Sequence, residues 1–242
     1  MLPESPPVVL AAHGSRDPAA AATTRALARV VAALRPGLDV RVCFLELAPP
    51  RPAEVLSALA DAGGPAPVVV PLLLTKAFHG RVDLPAQVAD FDVTITDTLG
   101  EPSEPLLRAL SRRLVAATDS FDAVVLAAAG TRVVEARGTV TDVAAALALR
   151  SGCPVEVAWA SAAGPTGAEA VAALRDRGAR RVAVSAYFLA QGRLYDTVVA
   201  SALAGGAIGV AEPLGASWDL ARLILARVDA ATQARVAQLA AA

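Results

Sequence analysis

Two histidines and a glutamate are the residues of this chain best suited to metal chemistry. His13 and His79 are the only two histidines among 242 residues, and each follows an apolar, strand-like run. Glu46 follows a third such run. Two neutral imidazoles with a nearby carboxylate can hold a first-row divalent ion and leave coordination positions open. His13, His79 and Glu46 are therefore the candidate catalytic residues, and the two histidines are the candidate metal ligands.

An internal repeat sets these three residues apart. The chain contains two copies of one sequence unit, and the second copy has Ala129, Gln191 and Ser161 where the first has His13, His79 and Glu46. The clearest matched segments, first copy then second, are Val8–Arg16 and Val124–Arg132, and His79–Arg81 and Gln191–Arg193. A copy that keeps its scaffold residues but loses both imidazoles indicates chemistry in the first copy and support in the second.

Short β-branched runs alternate with alanine- and leucine-rich stretches, a pattern typical of parallel α/β units. The predicted strands lie near Val8–Ala12, Val40–Leu45, Val68–Leu74, Val93–Thr96, Val124–Ala128, Val155–Trp159, Val182–Phe188 and Ala207–Val210. The predicted helices lie near Ala19–Leu34, Pro52–Ala62, Val82–Ala89, Glu104–Ala117, Val134–Arg150, Gly167–Arg177, Arg193–Leu203 and from Trp218 onward. The expected fold class is α/β, with two duplicated domains that each contain a parallel four-stranded sheet flanked by helices.

The domain boundary is predicted around Thr118–Asp122, which gives domains 1–120 and 121–242 with a cleft between them. His13 ends the first predicted strand, Glu46 follows the second and His79 follows the third. Ligands of open parallel sheets collect beyond the carboxyl ends of the strands. All three residues are therefore expected at the functional edge of the first domain.

Composition excludes several classes of protein. The net charge is −1, with 22 basic and 23 acidic residues, which argues against nucleic acid or an anionic membrane as the main partner. No apolar run approaches the ~20 residues that cross a bilayer. The first residues contain no basic and apolar signal pattern, so we expect a cytoplasmic protein. Cys43 and Cys153 form no C-x-x-C pair, so buried thiols are expected rather than a zinc or iron–sulfur site.

The motifs around these residues resemble those of the class II sirohydrochlorin chelatases. The matching segments are His13–Pro18, Phe44–Ala48, Val70–Leu74 running to His79, and Asp83–Pro85. Members of that family insert a divalent metal into sirohydrochlorin on the way to siroheme or cobalamin. The resemblance implies two facing αβ domains, with metal-binding histidines at His13 and His79 and a degenerate second copy. It also implies no permanently bound cofactor, because the metal, Fe²⁺ or Co²⁺, is itself a substrate.

Sirohydrochlorin carries many carboxylates, so its binding surface should present cations and polar groups. The candidate substrate-binding residues are Ser15, Arg16, Lys76, Phe78, Arg81, Arg132 and Arg193. Phe78 is a candidate for stacking on the macrocycle, as are Tyr187 and Phe188. The alternative is that the arginines cap helices or form salt bridges and that the aromatic rings belong to the core.

Metallation exchanges two pyrrole N–H protons for one divalent ion, so the site needs a metal-holding group and a nearby proton acceptor. His13 and His79 are the candidates for both roles, with Glu46 as an assisting base or as a residue that orients a histidine. Iron is preferred because the chain lacks the cysteine- and histidine-rich tail of longer variants, and a cobaltochelatase is the alternative. A non-catalytic metal or tetrapyrrole carrier stays open, whereas a histidine phosphatase is disfavoured because no arginine precedes His13. A monomer is plausible, since two fused copies can replace a homodimer.

Overall fold

The computed structural model describes residues 5–75, 82–162 and 164–240. The strands are β1 (Val8–Ala12), β2 (Val40–Phe44), β3 (Val68–Leu72), β4 (Thr94–Ile95), β5 (Ala123–Ala128), β6 (Val155–Trp159), β7 (Val182–Ala186) and β8 (Gly209–Val210). The helices are α1 (Pro18–Leu34), α2 (Pro52–Ala62), α3 (Leu84–Gln87), α4 (Glu104–Ala117), α5 (Val134–Ser151), α6 (Gly167–Asp176), α7 (Arg193–Ala204) and α8 (Trp218–Ala240). These elements confirm the order that the sequence predicts.

The strands form two parallel four-stranded sheets with the same topology. The first has the order β2-β1-β3-β4 and the second the order β6-β5-β7-β8. The central strand β1 pairs through Val8 with Val40 on one side and with Val68 on the other. Every residue of β1, β3, β5 and β7 is buried, because helices cover both faces of a parallel sheet. The predicted α/β class with duplicated four-stranded sheets is confirmed.

The compact units of the structure do not follow the repeat boundary. One unit comprises residues Met1–Leu99 with Ala216–Ala242, and the other comprises Gly100–Gly215. The predicted ranges 1–120 and 121–242 therefore differ from these units by the exchange of two helices, α4 and α8. Helix α4 belongs to the unit of the second sheet, although it ends the first copy in sequence. Helix α8 belongs to the unit of the first sheet, although it ends the second copy.

Helix α8 covers part of the first sheet. It packs against α1, β3 and β4 and buries an apolar face that includes Leu220, Ile224 and Val228. Two exposed ion pairs also connect it to the rest of its unit. Arg35 donates to both carboxylate oxygens of Asp229 at 2.7 and 2.8 Å, and Arg235 donates to Asp92 at 2.7 Å. Because exposed pairs of this kind contribute little energy, apolar burial is the main reason that α8 stays on this sheet.

Helix α4 covers the second sheet in the same way. It packs against α5, β7 and β8, and its buried face consists of Leu106, Ala109, Leu110 and Leu114. Arg113 donates to Glu212 at 3.0 Å and to the Leu214 carbonyl at 3.4 Å. The apolar residues recur at spacings of three and four, as expected for a helix with one buried face.

The two cysteines differ in their burial. Cys43 is fully buried, and burial raises the pKa of its thiol to about 12, so it stays protonated at neutral pH. Cys153 is partly buried.

Among helices of residues 5–75, 82–162 and 164–240, none combines the length and apolar character needed to cross a membrane.

Tyr187, next to the carboxyl end of β7, is a buried phenol with a clear stabilising contact. It is 3% exposed, and its hydroxyl donates to the Gly100 carbonyl at 2.6 Å. Removing a donor from a buried carbonyl costs about 1–3 kcal/mol. We therefore expect Tyr187→Phe to lower the free energy of unfolding by about 1–2 kcal/mol at pH 8, measured by urea denaturation.

Tyr187 should also make stability fall in alkali. The pKa of Tyr187 is raised above its ordinary value. Burial is the main cause, and the negative charge of Glu101 is the second. Above about pH 10 the unfolded chain loses this proton while the folded chain keeps it, so stability decreases as pH rises. The wild-type protein should therefore lose more stability between about pH 8 and pH 10.5 than Tyr187→Phe does. Equal losses in both proteins would contradict this role for the phenol.

Candidate functional site

The described part of the candidate site is a histidine–glutamate pair at the carboxyl edge of the first sheet. His13 directly follows β1, and Glu46 lies two residues beyond the end of β2. Because β1 and β2 are parallel neighbours, their carboxyl ends meet at this edge. The imidazole Nδ1 lies 3.2 Å from Glu46 Oε1, and the two side chains are 45% and 43% exposed. The pair is thus formed within the fold and is open to a ligand.

Backbone hydrogen bonds hold these two residues together. The Glu46 amide donates to the His13 carbonyl at 3.0 Å, and the Leu45 amide donates to the Ala12 carbonyl at 2.9 Å. Gly14 adopts φ +98°, and a Cβ at this position would overlap the Glu46 carbonyl oxygen. The chain can pass this close to Glu46 because Gly14 has no side chain.

The loop that carries Glu46 is closed by the backbone and held by side chains. The Phe44 amide donates to the Pro50 carbonyl at 2.9 Å, which closes the loop between β2 and α2. The Leu45 carbonyl, directly before Glu46, accepts hydrogen bonds from Arg51 Nη1 and from Gln87 Nε2, the latter at 3.3 Å. The same Gln87 nitrogen donates to Asp83 Oδ1 at 2.7 Å.

The second copy has an equivalent loop that lacks the histidine and the glutamate. The Trp159 amide donates to the Pro165 carbonyl at 2.9 Å and the Ala160 amide to the Ala128 carbonyl at 2.9 Å. Gly130 has φ +95° and, like Gly14, a close carbonyl neighbour, that of Ser161. The Ser161 hydroxyl donates to the Ala129 carbonyl at 2.7 Å. The duplicated backbone therefore carries a histidine–glutamate pair in one copy and an alanine and a serine at the equivalent positions of the other.

The geometry of the pair suits metal binding through the second ring nitrogen. A carboxylate oxygen 3.2 Å from Nδ1 favours the neutral tautomer whose proton is on Nδ1. The lone pair is then on Nε2, which is the nitrogen that can bind a metal. Histidine ligands of metals commonly donate their other N–H to a carboxylate in this way, which fixes the ring and increases its basicity. Glu46 is placed to orient His13.

The turn after His13 involves two further predicted site residues. The Ser15 hydroxyl oxygen accepts the Asp17 amide at 3.0 Å, and Asp17 caps α1 by accepting the Ala19 amide at 2.9 Å. Thr131 accepts the Val133 amide at 3.1 Å in the second copy. The hydroxyl at this position therefore forms a turn in both copies, while Arg16 projects from the first turn as an exposed residue.

The remaining predicted residues fall into two groups. Arg132 and Arg193 are exposed in the second unit, Arg193 as the first residue of α7. Four predictions, those for Lys76, Phe78, His79 and Arg81, lie outside the described residues. Within the described ranges, no cluster of three histidine, cysteine, aspartate or glutamate residues could hold a metal.

Two of the aromatic residues considered for stacking differ in their burial. Tyr187 is almost completely buried, so its ring face is not available to a ligand and the stacking interpretation is wrong for this residue. Phe188 is partly buried and packs edge-on against Tyr195, with ring centroids 5.7 Å apart. This contact supports a packing role for Phe188.

The sequence reasoning missed Arg51 and Gln87, which hold the loop of Glu46. One signal was present for Arg51, which directly precedes Pro52 at the start of α2. Helix N-caps are usually serine, threonine, aspartate or asparagine, so an arginine there indicates another purpose. Gln87 gave no signal, because a contact between an amide and a distant carbonyl has no characteristic spacing.

Comparison with known proteins gives the same architecture. The chain is similar in structure to SirB from Bacillus subtilis with Fe3+, at TM-score 0.79 and 21% identity, covering 93% of this chain and 94% of that chain. It is also similar to the sirohydrochlorin chelatase SirB from Bacillus subtilis subspecies spizizenii in complex with cobalt, at TM-score 0.77 and 19% identity, with the same coverages of 93% and 94%.

A third similar structure is CbiX, the terminal enzyme for biosynthesis of siroheme in denitrifying bacteria. The TM-score is 0.68 and the identity 21%, over 93% of this chain and 99% of that chain. At these identities the likenesses show the fold. No curated protein matches the sequence at a significant level.

The family comparison covers both copies. The CbiX family model matches residues 7–117 and again residues 123–231. The two matches follow the sequence repeat, so each copy is recognised as one CbiX unit. Together they account for most of the 242 residues. The chain therefore belongs to the CbiX family.

Proposed function

We propose that this protein is a sirohydrochlorin chelatase, which inserts a divalent metal ion into the tetrapyrrole. The observation that carries the proposal is the 3.2 Å contact between His13 Nδ1 and Glu46 Oε1 at the carboxyl edge of a CbiX-family unit. A carboxylate-oriented imidazole at an exposed sheet edge can bind a metal ion through Nε2 and release it again, because the site leaves coordination positions open.

His13 is proposed to present the metal and to receive a proton. Insertion removes two protons from the pyrrole nitrogens as the metal–nitrogen bonds form. Once the metal leaves Nε2, the ring can accept a proton there, and Glu46 stabilises the resulting imidazolium through Nδ1–H. His79 is proposed as the second ligand and proton acceptor. The first copy, residues 1–120, thus supplies the catalytic groups, while residues 121–242 support the substrate.

Substrate binding is assigned to polar and cationic side chains from both copies. The proposed residues are Ser15, Arg16, Lys76, Phe78, Arg81, Arg132 and Arg193. Arg16, Arg132 and Arg193 are exposed, which suits charge-assisted contacts with the carboxylates of sirohydrochlorin. The alternative for the arginines, that they only cap helices or form surface pairs, would leave substrate affinity unchanged on substitution.

Iron is the preferred metal, and a cobaltochelatase of cobalamin biosynthesis is the alternative. Support for both comes from the similar SirB structures, one described with Fe3+ and one in complex with cobalt. An imidazole–carboxylate donor set accepts either ion. The metal is a substrate, and no permanent cofactor is proposed. We further propose a cytoplasmic monomer that does not depend on a membrane or nucleic acid.

A metallation assay tests this function. The absorbance spectrum of sirohydrochlorin is followed after addition of Fe²⁺ under anaerobic conditions, or of Co²⁺, with and without the protein. We expect multiple turnovers with an initial rate above the protein-free background, and a higher rate with Fe²⁺. Binding of metal or tetrapyrrole without turnover would overturn the proposal and identify a carrier. A higher rate with Co²⁺ would assign the protein to the cobalt branch.

A further inference from the structure

The Leu45 carbonyl is held by more donors than the fold of its loop requires. It directly precedes Glu46 and accepts hydrogen bonds from Arg51 Nη1 and Gln87 Nε2. The second copy closes the equivalent loop through backbone amides, those of residues 159 and 160. When the two copies are aligned, Arg51 falls on Thr166, and Gln87 falls on Val199. The loop therefore forms without these two donors, so their presence in the first copy needs another explanation.

Gln87 is fixed in orientation by its own contacts. Its side-chain nitrogen lies 2.7 Å from Asp83 Oδ1 and 3.3 Å from the Leu45 carbonyl oxygen. Both partners are acceptors, so the NH₂ group of the carboxamide faces them and uses one N–H for each. Asp83 and Gln87 are one helical turn apart in the segment 83–87. The carboxamide thus ties this segment to the loop of Glu46.

The consequence of this tie reaches the histidine. The Leu45 carbonyl and the Glu46 amide belong to one planar peptide unit. Hydrogen bonds that hold the Leu45 carbonyl therefore also fix the orientation of the Glu46 amide. The Glu46 amide in turn donates to the His13 carbonyl at 3.0 Å, and the Glu46 carboxylate lies 3.2 Å from His13 Nδ1. A loose Leu45 carbonyl would allow the carboxylate to move away from the imidazole. Residues that support a metal ligand from outside contribute about 10- to 100-fold to metal affinity or activity.

We infer that Gln87, together with Arg51, is a positioning residue for metal transfer, which acts by holding the Leu45 carbonyl so that Glu46 orients His13. This inference rests on the proposed function, because it assigns these side chains a purpose at the same site. Loss of either donor reduces metal affinity and turnover, while the loop still folds, as it does in the second copy. The effect appears in kcat rather than in KM for sirohydrochlorin, since neither side chain is assigned to substrate binding.

The test uses Gln87→Glu, which keeps the size of the side chain but removes both N–H donors. Gln233→Glu, at an exposed position of α8, is the matched control for the added charge. We expect Gln87→Glu to weaken Co²⁺ binding and lower kcat by about 10-fold or more, with KM for sirohydrochlorin within about two-fold of the wild-type value. The absorption spectrum of bound Co²⁺ should also change, because the imidazole loses its fixed orientation. Gln233→Glu should match the wild-type protein in every measurement.

A second variant keeps the test decisive if Gln87→Glu does not fold, as judged by thermal denaturation. Arg51→Gln removes the other donor to the Leu45 carbonyl from a different element, the start of α2, and should produce the same loss in kcat and Co²⁺ affinity. Folded variants of both residues with unchanged Co²⁺ affinity, spectrum and kcat would overturn the inference. If the wild-type protein itself fails to metallate sirohydrochlorin, the proposed function is wrong, and Co²⁺ affinity alone then decides the role of Gln87.

Discussion

Replacing His13 with alanine should reduce metallation of sirohydrochlorin by at least about 100-fold, the scale associated with a lost acid–base group. The substitution removes the imidazole that lies 3.2 Å from Glu46, and with it the proposed metal-binding nitrogen and proton acceptor. Stability should change by less than about 1 kcal/mol, because the side chain is 45% exposed. The measurement is the initial rate of the absorbance change with Fe²⁺ or Co²⁺, together with urea denaturation.

The repeat supplies a matched control for His13. Ala129→His places an imidazole at the equivalent position of the second copy, where Ser161 stands instead of Glu46. We expect this variant to match the wild-type rate, and the double variant with His13→Ala to stay inactive, because an imidazole without its carboxylate is not oriented. Glu46→Gln should give an intermediate loss of about 10- to 100-fold. Full activity of His13→Ala would remove this residue from the mechanism.

The pH dependence of the reaction provides an independent check on the proposed imidazole ligands. Metal binding requires a neutral imidazole, so the wild-type rate should fall below about pH 6. A rate that stays constant down to about pH 5 would contradict a role for imidazole as metal ligand.

Gly14→Ala should be the most destabilising of the single substitutions considered, at about 3 kcal/mol or more. Two costs add at this position. The backbone has φ +98°, and the new Cβ would overlap the Glu46 carbonyl oxygen. Relief of this overlap requires the backbone of Gly14 or of Glu46 to shift, which should disturb the contact between His13 and Glu46, so metallation should fall as well. Urea denaturation measures the first effect and the metallation rate the second.

Two other glycines separate these costs. Gly37 has φ +87°, but a Cβ there meets nothing within 4 Å, so Gly37→Ala should show the conformational cost alone, about 1 kcal/mol. Gly130→Ala would repeat the overlap against the Ser161 carbonyl in the second copy and should be nearly as destabilising as Gly14→Ala. The folded fraction of Gly130→Ala should nevertheless retain the metallation rate per folded molecule. Equal stability of all three variants would contradict the steric argument.

The sequence predicted the sheets because their signal is local. Runs such as Val68–Leu72 are apolar throughout, as expected for strands covered on both faces. The meeting of His13 with Glu46 was also predictable, since the ends of neighbouring parallel strands share one edge. The predicted strand near Val68–Leu74 nevertheless continues past the observed end at Leu72. Apolar residues alone do not mark where strand pairing stops.

Contacts between distant positions were not predictable in this way. The donation from Gln87 to the Leu45 carbonyl joins residues 42 positions apart and depends on where a short helix lies, not on a motif. The sequence also did not indicate to which compact unit α4 and α8 belong. The repeat boundary records how the sequence was duplicated, whereas the sheet face on which a helix packs depends on the whole fold.

The placement of α8 shows that the repeated sequence unit and the compact structural unit of this protein do not coincide. The sequence consists of two consecutive copies of one unit, yet each copy ends in a helix that covers the sheet of the other copy. A polypeptide ended at Gly215 would retain β1, β2 and the His13–Glu46 pair but would lack the helix that covers β3 and β4. The first block therefore lacks part of the cover of its sheet when it is separated from the last segment of the second block. This reciprocal dependence gives the second block a structural role, because its last segment completes the fold of the first sheet.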